Sequence, residues 1–200
     1  MSGAPSFMVS QGEAFCPGHV TAFFEVVDDP DPRRKGSRGA GLSLSLGVRT
    51  VARVREASKP SLEILVNGRK AKAEVTEAAA RKILRDGSYE AKILSDTTLP
   101  VSQGFGVSSA AAVSTTLALD DALGLGTPRA ELVALAHVAE IECGTGLGDV
   151  VPASQGGMDL RLGPGAPGFA DVRKFEVRKD LLLTVVGPDI PTRSVIRDPK

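Results

Sequence analysis

The 200-residue chain has the length of one domain, or of one domain with part of another, and 42% of its residues are apolar, enough for a core. With no tryptophan and one tyrosine, that core is expected to be aliphatic. The 24 basic residues are balanced by 24 acidic ones, which excludes the basic excess that nucleic acid or an anionic membrane calls for and leaves a small ligand as the expected partner.

Residues 1–14 show neither the basic n-region nor the apolar h-region of an export signal, and no apolar run approaches the ~20 residues of a membrane span. A soluble, cytoplasmic protein is the expectation. Residues 14–27 place short apolar stretches around Cys16-Pro17-Gly18-His19 and predict two strands or one bent strand. A polar, proline-bearing loop follows over 28–38. Over 39–54 β character returns, with Leu42, Leu44 and Leu46 alternating with Ser43, Ser45 and Gly47, a pattern that predicts one buried face. Asn67-Gly68, flanked by Leu62-Glu63-Ile64-Leu65-Val66 and Arg69-Lys70-Ala71, has the two residue types that a type I′ hairpin turn requires. Thr76 is placed to cap a helix over 77–86 that Gly87 ends, and a strand is predicted over 89–94.

From Leu99 the chain runs through Gln103-Gly104-Phe105-Gly106-Val107-Ser108-Ser109 into an alanine-rich stretch, the sequence form of an anion site. Glycines let the backbone approach a ligand, and the first N–H groups of the helix, at the positive end of its dipole, suit a phosphate. The bland alternative is a small-residue turn with Ser108 or Ser109 as an ordinary N-cap. No G-x-x-x-x-G-K-[ST] occurs, and the third glycine of the dinucleotide fingerprint is replaced by Ser109. The helix is expected over 109–123, stopping at Gly124 or Gly126. Thr127 then caps a second helix with Pro128 at its first position and Leu132, Leu135, Ala136, Ala139 and Cys143 along one stripe. Gly144 closes it, 144–149 and Gly156-Gly157 form two further glycine loops, and 181–186 reads as a fully buried strand opening a new unit. Cys16 and Cys143 have no C-x-x-C partner and are expected to be reduced and buried. Strands precede helices rather than alternate with them, which favours an α+β fold.

Three segments together resemble the GHMP superfamily of small-molecule kinases. Ala14-Phe15-Cys16-Pro17-Gly18-His19-Val20 is similar to its first motif, A-P-G-[RK]-V. Residues 100–111 are similar to P-x-x-x-G-L-G-S-S-A, with Phe105 for the Leu and Val107 for the first Ser, and Gly148-Asp149-Val150-Val151 with Gly156-Gly157 is similar to the acidic acceptor-side loop. Within the superfamily these segments, with Gly36-Ser37-Arg38-Gly39-Ala40-Gly41, look most like the archaeal members that act on pantoate. The resemblance implies a ribosomal-protein-S5-like N-terminal domain over 1–179, with 180–200 as the start of a ferredoxin-like C-terminal domain. The family's third glycine motif is not found in these residues.

The implied activity is phosphoryl transfer from ATP, with Mg2+, to the hydroxyl of a small hydroxy acid or alcohol; a non-catalytic nucleotide binder is the alternative, and a homodimer is left open. Gly104, Phe105, Gly106, Val107, Ser108 and Ser109 are then the candidates for holding the nucleotide. Ser108 and Glu140 are the candidate magnesium ligands, with Glu142 second, against a helix cap and a solvated helix face respectively. Asp149 is the candidate general base, or an Asx-turn residue. His19 stands where mevalonate-type members have a lysine, and is either a catalytic donor or a structural group. For the acceptor's carboxylate Arg38 is the candidate, or a loop arginine in solvent, with Ser37 and Thr21 as hydroxyl contacts.

Overall fold

The computed structural model describes residues 9–185. Its frame is a long antiparallel ribbon of β1 (Ser10–Val27) and β2 (Gly36–Glu56), paired from Ser10 opposite Val54 to Val27 opposite Gly36. Register irregularities at Pro17/His19 and Thr21/Phe23 bend β1 without ending it. The remaining strands are β3 (Ser61–Val66), β4 (Arg69–Lys70), β5 (Tyr89–Thr97), β6 (Met158–Gly163) and β7 (Asp171–Phe175), in the sheet order β4-β3-β5-β2-β6-β7 with β1 against β2. One half of β2 pairs with β5, and its other half, residues 39–42, pairs with β6. β3 and β5 are parallel, joined by the β4 hairpin and α1 (Glu74–Leu84). The hairpin forms as expected, with Asn67 at φ 48° and Gly68 at φ 74°.

Alternation along β2 decides which face the helices cover. Val48, Thr50, Ala52 and Val54 are buried, whereas Arg49, Arg53 and Arg55 point to solvent. Against the buried face lies α2 (Val107–Leu123), buried on nearly all sides by alanine, valine and small hydroxyl residues because α1 and α3 (Arg129–Cys143) cover its back. Three of the buried hydroxyls satisfy one another, Thr50 Oγ1 lying 3.0 Å from Ser95 Oγ and 2.7 Å from Ser114 Oγ.

Several expectations need correction. α1 starts at Glu74, so Thr76 is buried within it and caps nothing, and the chain leaves through Arg85 at φ 50°. In α2 the cap position is Gly106, and in α3 it is Pro128, not Thr127. A short helix α4 (Val150–Gln155) and the strands β6 and β7 were not anticipated. Leu46 is exposed, since β1 and β2 are out of regular register beside it. Residues 181–185 form no strand and Leu182 is 99% exposed, because no strand among the described residues pairs with them; Val186 lies outside those residues. Cys16 is buried and Cys143 half-buried, and neither forms a disulfide among the described residues. Among the described residues no helix is long and apolar enough to cross a membrane.

Candidate active site

Two glycine loops meet above the bend in β1. The first, ahead of α2, is latched to β1 where the His19 N–H donates to Phe105 O at 3.0 Å, and it turns into the helix through Gly106 at φ 61°. A Cβ on Gly106 would sit 3.0 Å from both His19 N and His19 O, so positive φ and close packing coincide there. Gly104, at φ 79°, faces open space. No side chain caps α2, and Ser108 is exposed beside its first turn.

Ser109 turns inward instead, and its hydroxyl donates to Glu140 Oε1 on α3. Glu140 is buried, and its Oε2 has no hydrogen-bond partner. Burial, helped by the charge of Asp149, pushes the Glu140 carboxyl up to about 8. The second loop, 144–149, rests on this carboxyl through Gly146, where a Cβ would collide with both oxygens. Glu142, by contrast, lies outside and pairs with Lys82 at 2.7 Å.

Asp149 occupies the cap position of α4 but makes no capping bond. Its Oδ1 instead accepts from Thr21 Oγ1 at 2.8 Å and Arg161 Nη1 at 3.2 Å, and lies 3.2 Å from His19 Nδ1. Its side chain remains 30% exposed, so the carboxylate is held from below and reachable from above. Burial alone would raise this carboxyl; the hydrogen bond and charge of His19, the Thr21 hydroxyl and Arg161 outweigh it and hold the group at about 2.

His19 is fully buried, and its other nitrogen, Nε2, lies 2.6 Å from Asp159 Oδ1. With a carboxylate at each ring nitrogen the imidazolium is the matching form. Burial works against that charge, yet the two aspartates raise its pKa to about 9. Arg161 closes the group, its Nη1 donating to Gly148 O at 3.0 Å and its Nε 3.4 Å from Asp159 Oδ2. Two carboxylates and two cations therefore balance in a nearly dry site.

Of the candidate residues, the structure gathers His19, Thr21, Ser109, Glu140 and Asp149 around the joined loops, with Ser37 buried against Gly148. It does not bring Arg38 in: that side chain is 54% exposed and its ion pair is with Glu25 at 3.8 Å. Arg161 is the guanidinium that reaches Asp149. Asp159 and Arg161 escaped the sequence reading because Met158-Asp159-Leu160-Arg161-Leu162-Gly163 was not recognised as a strand. Its period-2 alternation, which puts both charges on one face, was the available signal. Among the described residues no group of three or more His, Cys, Asp or Glu side chains is arranged to hold a metal ion.

Residues 71–157 match the family model for the GHMP kinases N terminal domain. The sequence is 35% identical to the pantoate kinase of Thermococcus kodakarensis over 188 residues, 92% of this chain and 62% of that protein. It is 30% identical to the pantoate kinase of Methanocaldococcus jannaschii over 172 residues, 86% of this chain and 60% of that protein. A solved structure described as a phosphotransferase related to the CoA biosynthesis pathway superposes with a TM-score of 0.76 at 32% identity, covering 85% of this chain and 58% of that one. The chain thus spans less than two thirds of the length of these relatives.

Proposed function

We propose that this chain, which carries the N-terminal domain of the GHMP kinases, is the nucleotide-holding part of an ATP-dependent kinase that phosphorylates the primary hydroxyl of pantoate to 4-phosphopantoate, a step toward coenzyme A. The observation that carries this reading is the joining of an open glycine loop at a helix N-terminus to a half-exposed carboxylate backed by a buried arginine and histidine. The similarity to two archaeal pantoate kinases supports the choice of acceptor.

Phosphoryl transfer asks a protein chiefly to align phosphates and neutralise their charge. Backbone N–H groups of 104–109 supply donors for the triphosphate. Glu140, whose buried Oε2 lacks a partner and whose Oε1 accepts from Ser109, would hold magnesium, with the exposed Ser108 hydroxyl on the first turn of α2 as the second candidate; when bound the ion would offset the charge of the ATP phosphates. Asp149 receives the hydrogen of the attacking hydroxyl. A carboxylate held near 2 is a weak base, so its contribution lies more in aiming that oxygen than in pulling the proton early. A loose transition state needs little more. Arg161, buried behind Asp149, holds and neutralises that carboxylate from the protein side.

On the same reading, the described residues up to 179 form the nucleotide domain of a cytoplasmic enzyme that works on a small molecule; residues 1–8 and most of the 180–200 segment expected to open a ferredoxin-like domain lie outside the described residues. The test is ADP release by the full-length polypeptide bearing these residues, with magnesium ATP and pantoate, homoserine or mevalonate in turn. Turnover with pantoate at least about tenfold above the others, in kcat/KM, is expected. Turnover only with another acceptor removes the pantoate assignment, and nucleotide binding without transfer selects the non-catalytic alternative.

A further inference from the structure

The His19 ring lies across the sheet. His19 belongs to β1, Asp159 to β6, and β2 runs between them, with Gly41 directly opposite Asp159 in the β2–β6 register. Two strands away from its own backbone, the ring still places Nε2 at 2.6 Å from Asp159 Oδ1. It does so by passing over Gly41, where a Cβ would collide with Cε1 and Nε2 of the ring. Any side chain at that position would therefore push the imidazole away from Asp159. The opposite edge of the ring meets Asp149, whose side chain makes no cap bond to α4 and is held instead by His19, Thr21 and Arg161.

We propose that Asp159 is a positioning residue: acting through the His19 ring, it fixes the direction in which Asp149 presents its carboxylate to the acceptor, and Gly41 is the gap in the sheet that lets the ring touch both aspartates. This rests on the kinase reading for the identity of the acceptor, but the tie itself does not. Asp159 is almost completely buried and touches no open surface, so it acts only through its neighbours. Its second oxygen lies 3.4 Å from Arg161 Nε, an ion-pair contact without a hydrogen bond, so the bond to His19 is the one that ties this carboxylate to a neighbour. The charged and titratable groups that face His19 are Asp149, Asp159 and Arg161, with Glu140 further out across the second loop. Thr21 Oγ1, 3.5 Å from Nδ1, donates to Asp149 and so keeps that nitrogen as a donor.

The chain has only two histidines, so imidazole nitrogen NMR resolves them. His137, whose Nε2 lies 3.0 Å from Lys35 O, has its pKa lowered by burial and serves as the internal contrast. In the unsubstituted protein His19 should stay doubly protonated until about pH 9. Asp159→Asn keeps the shape and removes the charge. It should lower the His19 midpoint by about one unit or more, reduce kcat about tenfold, leave KM for ATP within about twofold and move the alkaline limb of the kcat profile to lower pH. Gly41→Ala, which leaves every charge in place, should produce the same loss of kcat. A merely structural Asp159 would lower the melting temperature and leave the pH profile where it was, which overturns the proposal. So does a His19 midpoint near 6.5 in the unsubstituted protein, a measurement that needs no variant to fold. Absence of turnover with pantoate, homoserine and mevalonate alike, together with a midpoint near 9, overturns the kinase reading, and with it the acceptor's part in this proposal, while the tie between ring and aspartates stands.

Discussion

Glu140 sits in a chemical setting that its sequence position does not announce. The carboxyl is buried, holds one hydroxyl, supports a loop backbone and leaves one oxygen unpartnered, so without a cation it is more stable protonated. An amide of the same shape should therefore be tolerated by the fold. Glu140→Gln is expected to keep the melting temperature within a few degrees of the parent, since Ser109 still finds an oxygen, and to lower kcat at saturating magnesium ATP by on the order of 100-fold. Melting curves and steady-state kinetics on the same preparation check both halves. A variant that turns over at the parent rate places the cation elsewhere. Glu142, already paired with Lys82 at the surface, should show no such loss.

At the level of elements, the loop before α2 works because each of its two glycines has its own constraint. Gly106 is held at positive φ against the His19 backbone, so Gly106→Val combines strain with a push on β1 and should weaken ATP binding by about tenfold or more. Gly104 shares the positive φ but faces open space, so Gly104→Ala should cost only about 1 kcal/mol of local strain and a smaller loss of affinity. Calorimetric titration of both variants with ATP tests the order, and equal losses would remove the distinction. This loop, the Asn67-Gly68 hairpin and the two long helices were legible because glycine, asparagine and apolar periodicity act locally. β6 was not, since six residues with two charges satisfy a strand pattern only when a partner strand and buried counter-charges exist. α4 follows a glycine loop and contains Pro152, which reads as a break until its place near the start of a helix is known. That Arg161 and not Arg38 lies beside Asp149 depends on which strand crosses there, a matter of topology that residue spacing does not encode.

Over the whole molecule, β2 ties β1 to β6, and the charges clustered at that junction make the fold's stability depend on pH. His19 has a folded pKa of about 9 against 6.5 when unfolded. The folded state therefore binds its proton more tightly, and that contribution is complete below 6.5 and disappears as pH rises through 9. Asp149 works in the opposite sense: its pKa falls from 3.8 to about 2, so its contribution is present above 3.8 and is lost as pH falls through 2. Glu140, raised by burial from 4.5 to about 8, loses stability as pH rises across that interval, Cys16, raised from 9.0 to about 12, does so at higher pH, and His137, lowered by burial, loses its contribution on the acid side. A comparison with His19→Gln separates the histidine from Cys16 and His137, which are common to both proteins, and carries with it the smaller effect of the imidazolium on Glu140. Between pH 6.5 and 9 the parent's melting temperature should fall more steeply than the variant's, by a difference on the order of 5 °C across the window. Parallel curves would mean that the imidazolium is not what holds the two aspartates, and the charge balance at the β1–β2–β6 junction would then have to be assigned to Arg161 alone.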